Sequence, residues 1–261
     1  MAGNDAGPKP PYFFPSIVMD AASPRLPLAL KLVVSAFLAV MVPVYYQNYG
    51  PTNFMYFCDV ALLRSFIALW TEHPLPASMA AVGILVPQVL WCADFLGELF
   101  HVHLVGLTGY MFDANRSLFL RGLSFFHAWL PFLLVFLVKR LGYDRRALLG
   151  WTALGWSLCL MAYFFLPPAG TILPDPQTPV NINYVFGFDD ANPQTWLPAP
   201  LYLLAWMSGL LAVFYVPSHL LLRRLYGQPK SSTSRRGTSE PAAETIILAI
   251  GGRVSRQNVR P

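Results

Sequence analysis

Charge is scarce in this 261-residue sequence: 12% of residues are Asp, Glu, Lys or Arg, against roughly a quarter in a soluble domain. A water-facing globular surface is therefore excluded for most of the chain. Cysteine is scarcer still. Cys58, Cys92 and Cys159 all lie in apolar blocks and form no CxxC pair, which excludes a disulfide framework and a zinc ribbon. The Pro-rich N-terminus lacks a short apolar region with a cleavage site, so it reads as a cytoplasmic tail rather than a signal peptide. No lumenal domain of useful size fits between the apolar blocks. Nor does an internal repeat mark two related halves, which weighs against a secondary transporter.

What is abundant is apolar sequence, with 55% hydrophobic and 15% aromatic residues. It falls into six blocks, at about residues 28–46, 54–70, 78–100, 118–138, 147–166 and 199–222, each near the length that crosses a bilayer as a helix. The expected fold class is all-α, an integral membrane bundle of six transmembrane helices over residues 27–226. A polar tail at 1–26 precedes it, and a basic, Gly/Ser/Pro/Arg-rich disordered tail at 227–261 follows it. The formal charge of +5 and the pI near 9.2 come from residues beside the blocks, a topology signal rather than a nucleic-acid surface. Lys139, Arg140, Arg145 and Arg146 separate blocks four and five, and Arg223, Arg224, Lys230, Arg235 and Arg236 follow block six. The positive-inside rule puts these residues and both termini in the cytoplasm of a cell-membrane protein whose expected partner is membrane lipid. Residues 47–53, 101–117 and the long loop 167–198 then face outward; that loop carries Asp175, Asp189 and Asp190 but no Lys or Arg.

Ionisable side chains inside a bilayer are costly and mark cavities or pairs. Asp94, Glu98 and His101 recur at i, i+4 and i+7 on one stripe of block three, within about 10 Å of its outer end. Cys58 and Asp59 lie about 6 to 8 Å below the outer end of block two, and His127 lies about 9 Å inside Arg121 in block four. Helices of alternating direction bring these groups to one depth, the expected place of an outward-opening polar cavity. Pro131 removes the donor for the His127 carbonyl, which must then face protein or water. Residues 181–188 (NINYVFGF) read as a lid over the cavity or a packed cap.

Three chemistries could use such a cavity. In one, Cys58 is a nucleophile, His127 its base, and Asp59 or Asp94 orients the imidazole. In another, Asp94, Glu98, His101 and His103 hold a divalent metal such as zinc, iron or manganese; no other cofactor is expected. In the third, a non-enzymatic scaffold, small-solute binder or transporter uses the same groups as a proton relay or solute site. Against all three stands packing: a membrane cysteine that fills space, or Asp94 and Glu98 paired with Arg121, Arg116 or Arg64.

Three stretches carry a family resemblance: YGPTNFMYFCDVAL at 49–62, FHAWLPFLL at 126–134, and the late NYVFG, PQTWLPAPLYLLAW and YVPSHLL segments. Together they resemble an uncharacterised bacterial multi-pass membrane protein family. That family is distantly similar to the YwaF-like proteins, to transmembrane acyltransferases and to the androgen-induced hydrolases of fatty-acid esters. The resemblance implies an intramembrane lipid acyl-transfer or ester-hydrolysing site, with Cys58 as nucleophile, His127 as the histidine before Leu-Pro, and Asn53 or Tyr56 at the oxyanion. In the hydrolase branch the nucleophile is a threonine, where this sequence has Tyr56, so that activity is not implied. Asp94, Glu98 and the HVH run fall outside the resemblance.

Overall fold

The computed structural model describes residues 26–227; the N-terminal polar tail and the basic C-terminal tail, with Lys230, Arg235 and Arg236, lie outside the described residues. Every regular element in that range is helical. The helices are α1 (Leu28–Tyr49), α2 (Phe57–Thr71), α3 (Pro74–Leu99), α4 (Leu118–Ser124), α5 (Phe126–Leu141), α6 (Ala147–Phe165), α7 (Ala199–Gly209) and α8 (Val216–Tyr226). Helices α4 and α5 join at Phe125 into one rod, Leu118–Leu141. A π-helical turn, Leu210–Tyr215, joins α7 and α8 into another, Ala199–Tyr226.

Five of these segments are long and apolar enough to cross a membrane: α1, α3, α6 and the two composite rods. Helix α2 is the exception among the six expected blocks. Its 15 residues rise about 22 Å, short of a hydrocarbon core of about 30 Å. Phe54 and Met55, expected to begin it, belong instead to a 3-10 turn, Pro51–Met55, that follows the left-handed Gly50. Helix α3 errs the other way and starts four residues before its expected Ser78. Pro74 is tolerated in a first turn, where its missing N–H would have no partner anyway, and His73 Nδ1 accepts the Leu75 N–H at 3.2 Å.

Hydrogen bonds between helix ends fix an up-and-down order. Lys31 Nζ donates to Glu72 Oε1 at 2.7 Å, so the start of α1 meets the end of α2. Asp144 N donates to Ser78 Oγ at 3.0 Å and Tyr143 N to the Tyr226 carbonyl at 3.4 Å, which gathers the α5–α6 turn, the start of α3 and the end of α8. Lys139, Arg140, Arg145, Arg146, Arg223 and Arg224 cluster at this same end. The opposite end collects the Pro51–Met55 turn, the 100–117 segment and the long loop 167–198.

Helix α3 is the centre of the bundle and packs against α2, α5, α6 and α8. Its residues from Ala77 to Ile84 are buried without a break, so neighbours cover every side of that stretch. Ala77, Ser78, Ala80, Ala81 and Gly83 are small, which lets backbones approach closely. Gly83 is the extreme case: a methyl group there would sit 1.7 Å from Cε2 of the fully buried Trp151 of α6.

Candidate functional site

The first turn of α2 carries a buried carboxylate with few partners. Asp59 is only 3% exposed, and its Oδ2 receives the Cys58 thiol at 3.7 Å and the Asn53 amide at 3.5 Å. Its Oδ1 is buried with no hydrogen-bond partner among the described residues. The dipole of α2 favours a carboxylate at this position, but two long contacts from neutral groups are little for a buried charge. The hydroxyls of Tyr45 and Tyr56 lie within electrostatic reach of Asp59. Thr52 Oγ1, on the same turn as Asn53, is likewise buried without a partner.

The long loop seals this end of α2. Asn183 Oδ1 accepts the Phe57 N–H at 3.0 Å, and its amide donates to the Met55 carbonyl at 2.9 Å, so one side chain caps α2 and ties down the turn before it. Asn183 sits at φ 59°, a left-handed conformation that asparagine tolerates, and Trp206 Nε1 donates to its carbonyl at 2.8 Å. Residues 181–188 are therefore a seated cap. Tyr56 occupies the residue before α2, and its backbone N–H donates to the Asn53 carbonyl at 3.1 Å.

His127 belongs to a different cluster. Its Nδ1 lies 3.0 Å from the Gln88 side-chain amide of α3, and its ring stacks on Trp91 and Phe126 with centroids 5.0 and 4.1 Å away. Among the described residues no hydrogen bond joins His127 to Cys58; the partner of the thiol is Asp59. The His127 carbonyl freed by Pro131 receives the Cys92 thiol at 3.8 Å, which settles the backbone at the proline within protein. A bridge of polar groups links the two clusters. Trp91 Nε1 donates to Tyr110 OH at 3.2 Å, Tyr110 lies within electrostatic reach of Tyr45, and Tyr45 OH lies 2.7 Å from Ser124 Oγ. Burial pushes the Tyr110 phenol, in the connecting segment, well above its ordinary pKa.

Asp94, Glu98 and His101 do not form one ligand set. Asp94 Oδ1 accepts from the Val105 and Gly106 N–H groups at 2.7 and 3.0 Å, and Oδ2 from the Thr108 N–H and hydroxyl at 2.9 and 2.8 Å. The acceptor positions of this fully buried carboxylate are thereby filled. Helix α3 ends at Leu99 and the chain reverses, so the i, i+4, i+7 stripe breaks before His101, which is exposed at φ 59°. The reversal brings His103 Nδ1 to 2.7 Å from Glu98 Oε1 instead, and that hydrogen bond holds the His103 imidazole above its ordinary pKa. Among the described residues no three His, Cys, Asp or Glu side chains converge as a metal group. The expected arginine pairings are replaced as well: Arg121 donates to the Met111 carbonyl, Arg116 to Tyr49 OH, and Arg64 to Met79 Sδ.

Gln88, Thr108, Tyr110 and Asn183 hold this end together, and of these the sequence places only Asn183, within residues 181–188, over the cavity. For Asn183 the only signal is a pair of asparagines in an otherwise apolar stretch; for Gln88 it is one amide in an apolar block. No protein-family model, curated protein or solved structure matches the chain.

Proposed function

We propose that this chain is an integral membrane protein that crosses the bilayer six times and binds a small cationic solute at Asp59, near its non-basic face. The antiparallel seams support six crossings. Residues 51–71 lead from the Asn183 cap at one end to the Lys31–Glu72 pair at the other, so the Pro51–Met55 turn adds the length that α2 lacks. The basic end, where residues 26 and 227 both lie, is cytoplasmic by the positive-inside rule. The observation that carries the site is the bare Oδ1 of Asp59. Buried charges are ordinarily paired, and among the described residues the hydrogen-bond partners are an amide and a thiol, both neutral. A cation of alkali or ammonium size would complete the shell. Thermal unfolding of the purified protein in sodium, potassium, ammonium and methylammonium chlorides, at constant ionic strength, tests this. At least one cation should raise the Tm of the wild type, and Asp59→Asn should lose that response. Equal behaviour of the two proteins in every salt would remove the site.

A second reading rests on the 3.7 Å contact between Cys58 and Asp59. Acyl transfer, which the family resemblance implies, would then run from Cys58 with Asp59 in the role assigned to His127. The thiol proton passes to Asp59 Oδ2 and sulfur adds to the ester carbonyl. The tetrahedral oxyanion collapses and expels the alcohol, which recovers the proton, and water or an acceptor alcohol then releases the acyl group. A lipid-like thiol-reactive probe should label the wild type but not Cys58→Ala, and should react about a hundredfold more slowly with Asp59→Asn. Labelling that persists in Cys58→Ala dismisses this reading.

A further inference from the structure

The chain that leaves α3 turns back along it. Val102 N donates to the Gly97 carbonyl at 2.8 Å and His101 N to the Glu98 carbonyl at 3.0 Å, the two bonds of a Schellman cap, with His101 in the left-handed conformation such a cap requires. The returning chain passes so close to Gly97 that a methyl group there would sit 2.6 Å from the Val102 carbonyl oxygen. It then reaches Asp94, whose carboxylate takes the N–H groups of Val105, Gly106 and Thr108 at 2.7, 3.0 and 2.9 Å. Asp94 precedes the last residue of α3 by about 7 Å of helix, so the segment re-enters the bundle by that depth. It is firmly held, yet its side chains are left open: Phe100 is 73% exposed, Val102 52%, Leu104 55% and Val105 60%. Leu96 and Leu99, on the last two turns of α3, are exposed at the same height.

We infer that residues 99–105 are an interfacial anchor, an apolar edge that sits in the outward-facing leaflet where headgroups meet acyl chains; the inference rests on the membrane reading above. A contiguous exposed apolar patch marks a contact with protein or membrane, and three observations favour lipid here. The patch continues the exposed flank of α3, a helix long and apolar enough to cross a bilayer. It lies level with the last two turns of that helix rather than beyond them, so whatever lipid covers Leu96 and Leu99 covers it too. Its depth of about 7 Å matches the roughly 5 to 10 Å to which apolar groups sink from the membrane surface. The polar side chains beside it suit the same layer. His101 and His103 are exposed among the apolar residues, and His103 Nδ1 lies 2.7 Å from Glu98 Oε1. An imidazole presents an apolar body and a polar tip, which fits a boundary better than either water or hydrocarbon. Asp94 and Gly97 are the positioning residues of the anchor: one ties its backbone down, and the other leaves room for it against the helix.

A bimane fluorophore on single cysteines tests this in the full-length protein, reconstituted into phosphatidylcholine vesicles with Cys58, Cys92 and Cys159 replaced by serine or alanine. Val102→Cys and Leu104→Cys carry the label on the patch. Phe132→Cys, on the exposed flank of α5, marks a lipid-facing span, and Gln177→Cys marks the acidic loop. Phosphatidylcholine brominated high on its acyl chains should quench the Val102→Cys and Leu104→Cys labels. Iodide on both sides of the vesicles should quench them far less than it quenches the Gln177→Cys label. Iodide quenching equal to that of Gln177→Cys, with none from brominated lipid, would overturn the inference and make the segment an aqueous loop. Protection from both quenchers would overturn it as well, since a second copy or another protein would then cover the patch. Phosphatidylcholine brominated near its chain ends separates these failures from that of the membrane reading. If it quenches Phe132→Cys while the patch stays in water, only the anchor is lost; if it leaves Phe132→Cys untouched, the membrane reading is lost.

Discussion

Two buried aspartates in the same half of the bundle are treated in opposite ways. Asp94 accepts four hydrogen bonds from the loop that follows α3, and all of them are 3.0 Å or shorter. Asp59 has two contacts of 3.5 Å and longer, and one oxygen without a hydrogen-bond partner among the described residues. A buried donor left without its acceptor costs about 1 to 3 kcal/mol. Asp94→Ala strands the N–H and hydroxyl of the fully buried Thr108 and leaves the N–H groups of the exposed Val105 and Gly106 to water, so it should cost on the order of 4 kcal/mol. Asp94→Asn keeps one acceptor oxygen and should cost roughly half as much. The loss should appear as a lower Tm in detergent and as faster tryptic cleavage after Arg116, in the segment that Asp94 holds. Asp59→Asn should do neither, because it removes a poorly paired charge. If Asp94→Ala leaves both readouts at wild-type values, the carboxylate is not the anchor of the loop. Nothing in the residue types separates the two roles. Both are acids in apolar blocks, and the difference lies in backbone N–H groups eleven to fourteen residues downstream of Asp94, which become donors only once the chain has turned back.

At the scale of the helix, what a sequence displays is what one helix decides by itself. Length and apolar content mark α1, α3, α6 and both composite rods as long and apolar enough to cross a membrane, because those properties belong to each segment alone. The Pro51–Met55 turn is less legible: proline is compatible with a first helical turn, and only the left-handed Gly50 before it and the Asn183 cap beside it decide that α2 begins at Phe57. The π-helical turn at Leu210–Tyr215 is not legible at all. It lies just before Pro217, whose ring would collide with a carbonyl one turn earlier, and the wider turn is one way to relieve that conflict. Gly83 shows the same limit from the side of packing. In the sequence it is a helix-weakening residue in an apolar run. In the bundle the Trp151 ring occupies the place of its missing side chain, a fact that belongs to two helices at once. The sequence-derived cavity depended on which faces meet, and the meeting faces divide its members between Asp59 and Cys58 on one side and His127, Gln88 and Trp91 on the other.

Across the whole molecule, the segment that decides the topology is residues 51–71. If it crosses, the chain makes six passes; if it lies within one leaflet, the sides of everything after it are inverted relative to α1. The ends of the helices argue for crossing. Glu72 lies with Lys31 at the start of α1, whereas Asn53 and Phe57 lie under the Asn183 cap at the other end. His73 also acts electrostatically on Asp144, and Arg146 holds that carboxyl below its usual range, so the α2–α3 turn and the basic α5–α6 turn share a face. Single cysteines at Gln47, His73, Arg145 and Gln177, in a background with Cys58, Cys92 and Cys159 replaced by serine or alanine, separate the possibilities. A membrane-impermeant maleimide added to intact cells should modify Gln47→Cys, at the exposed end of α1, and Gln177→Cys, from the acidic loop, at once. It should reach His73→Cys and Arg145→Cys only after the membrane is opened. Labelling of Gln47→Cys and His73→Cys from the same side would mean that residues 51–71 turn back without crossing. Labelling of His73→Cys and Arg145→Cys in intact cells, with Gln47→Cys and Gln177→Cys protected, would invert the orientation.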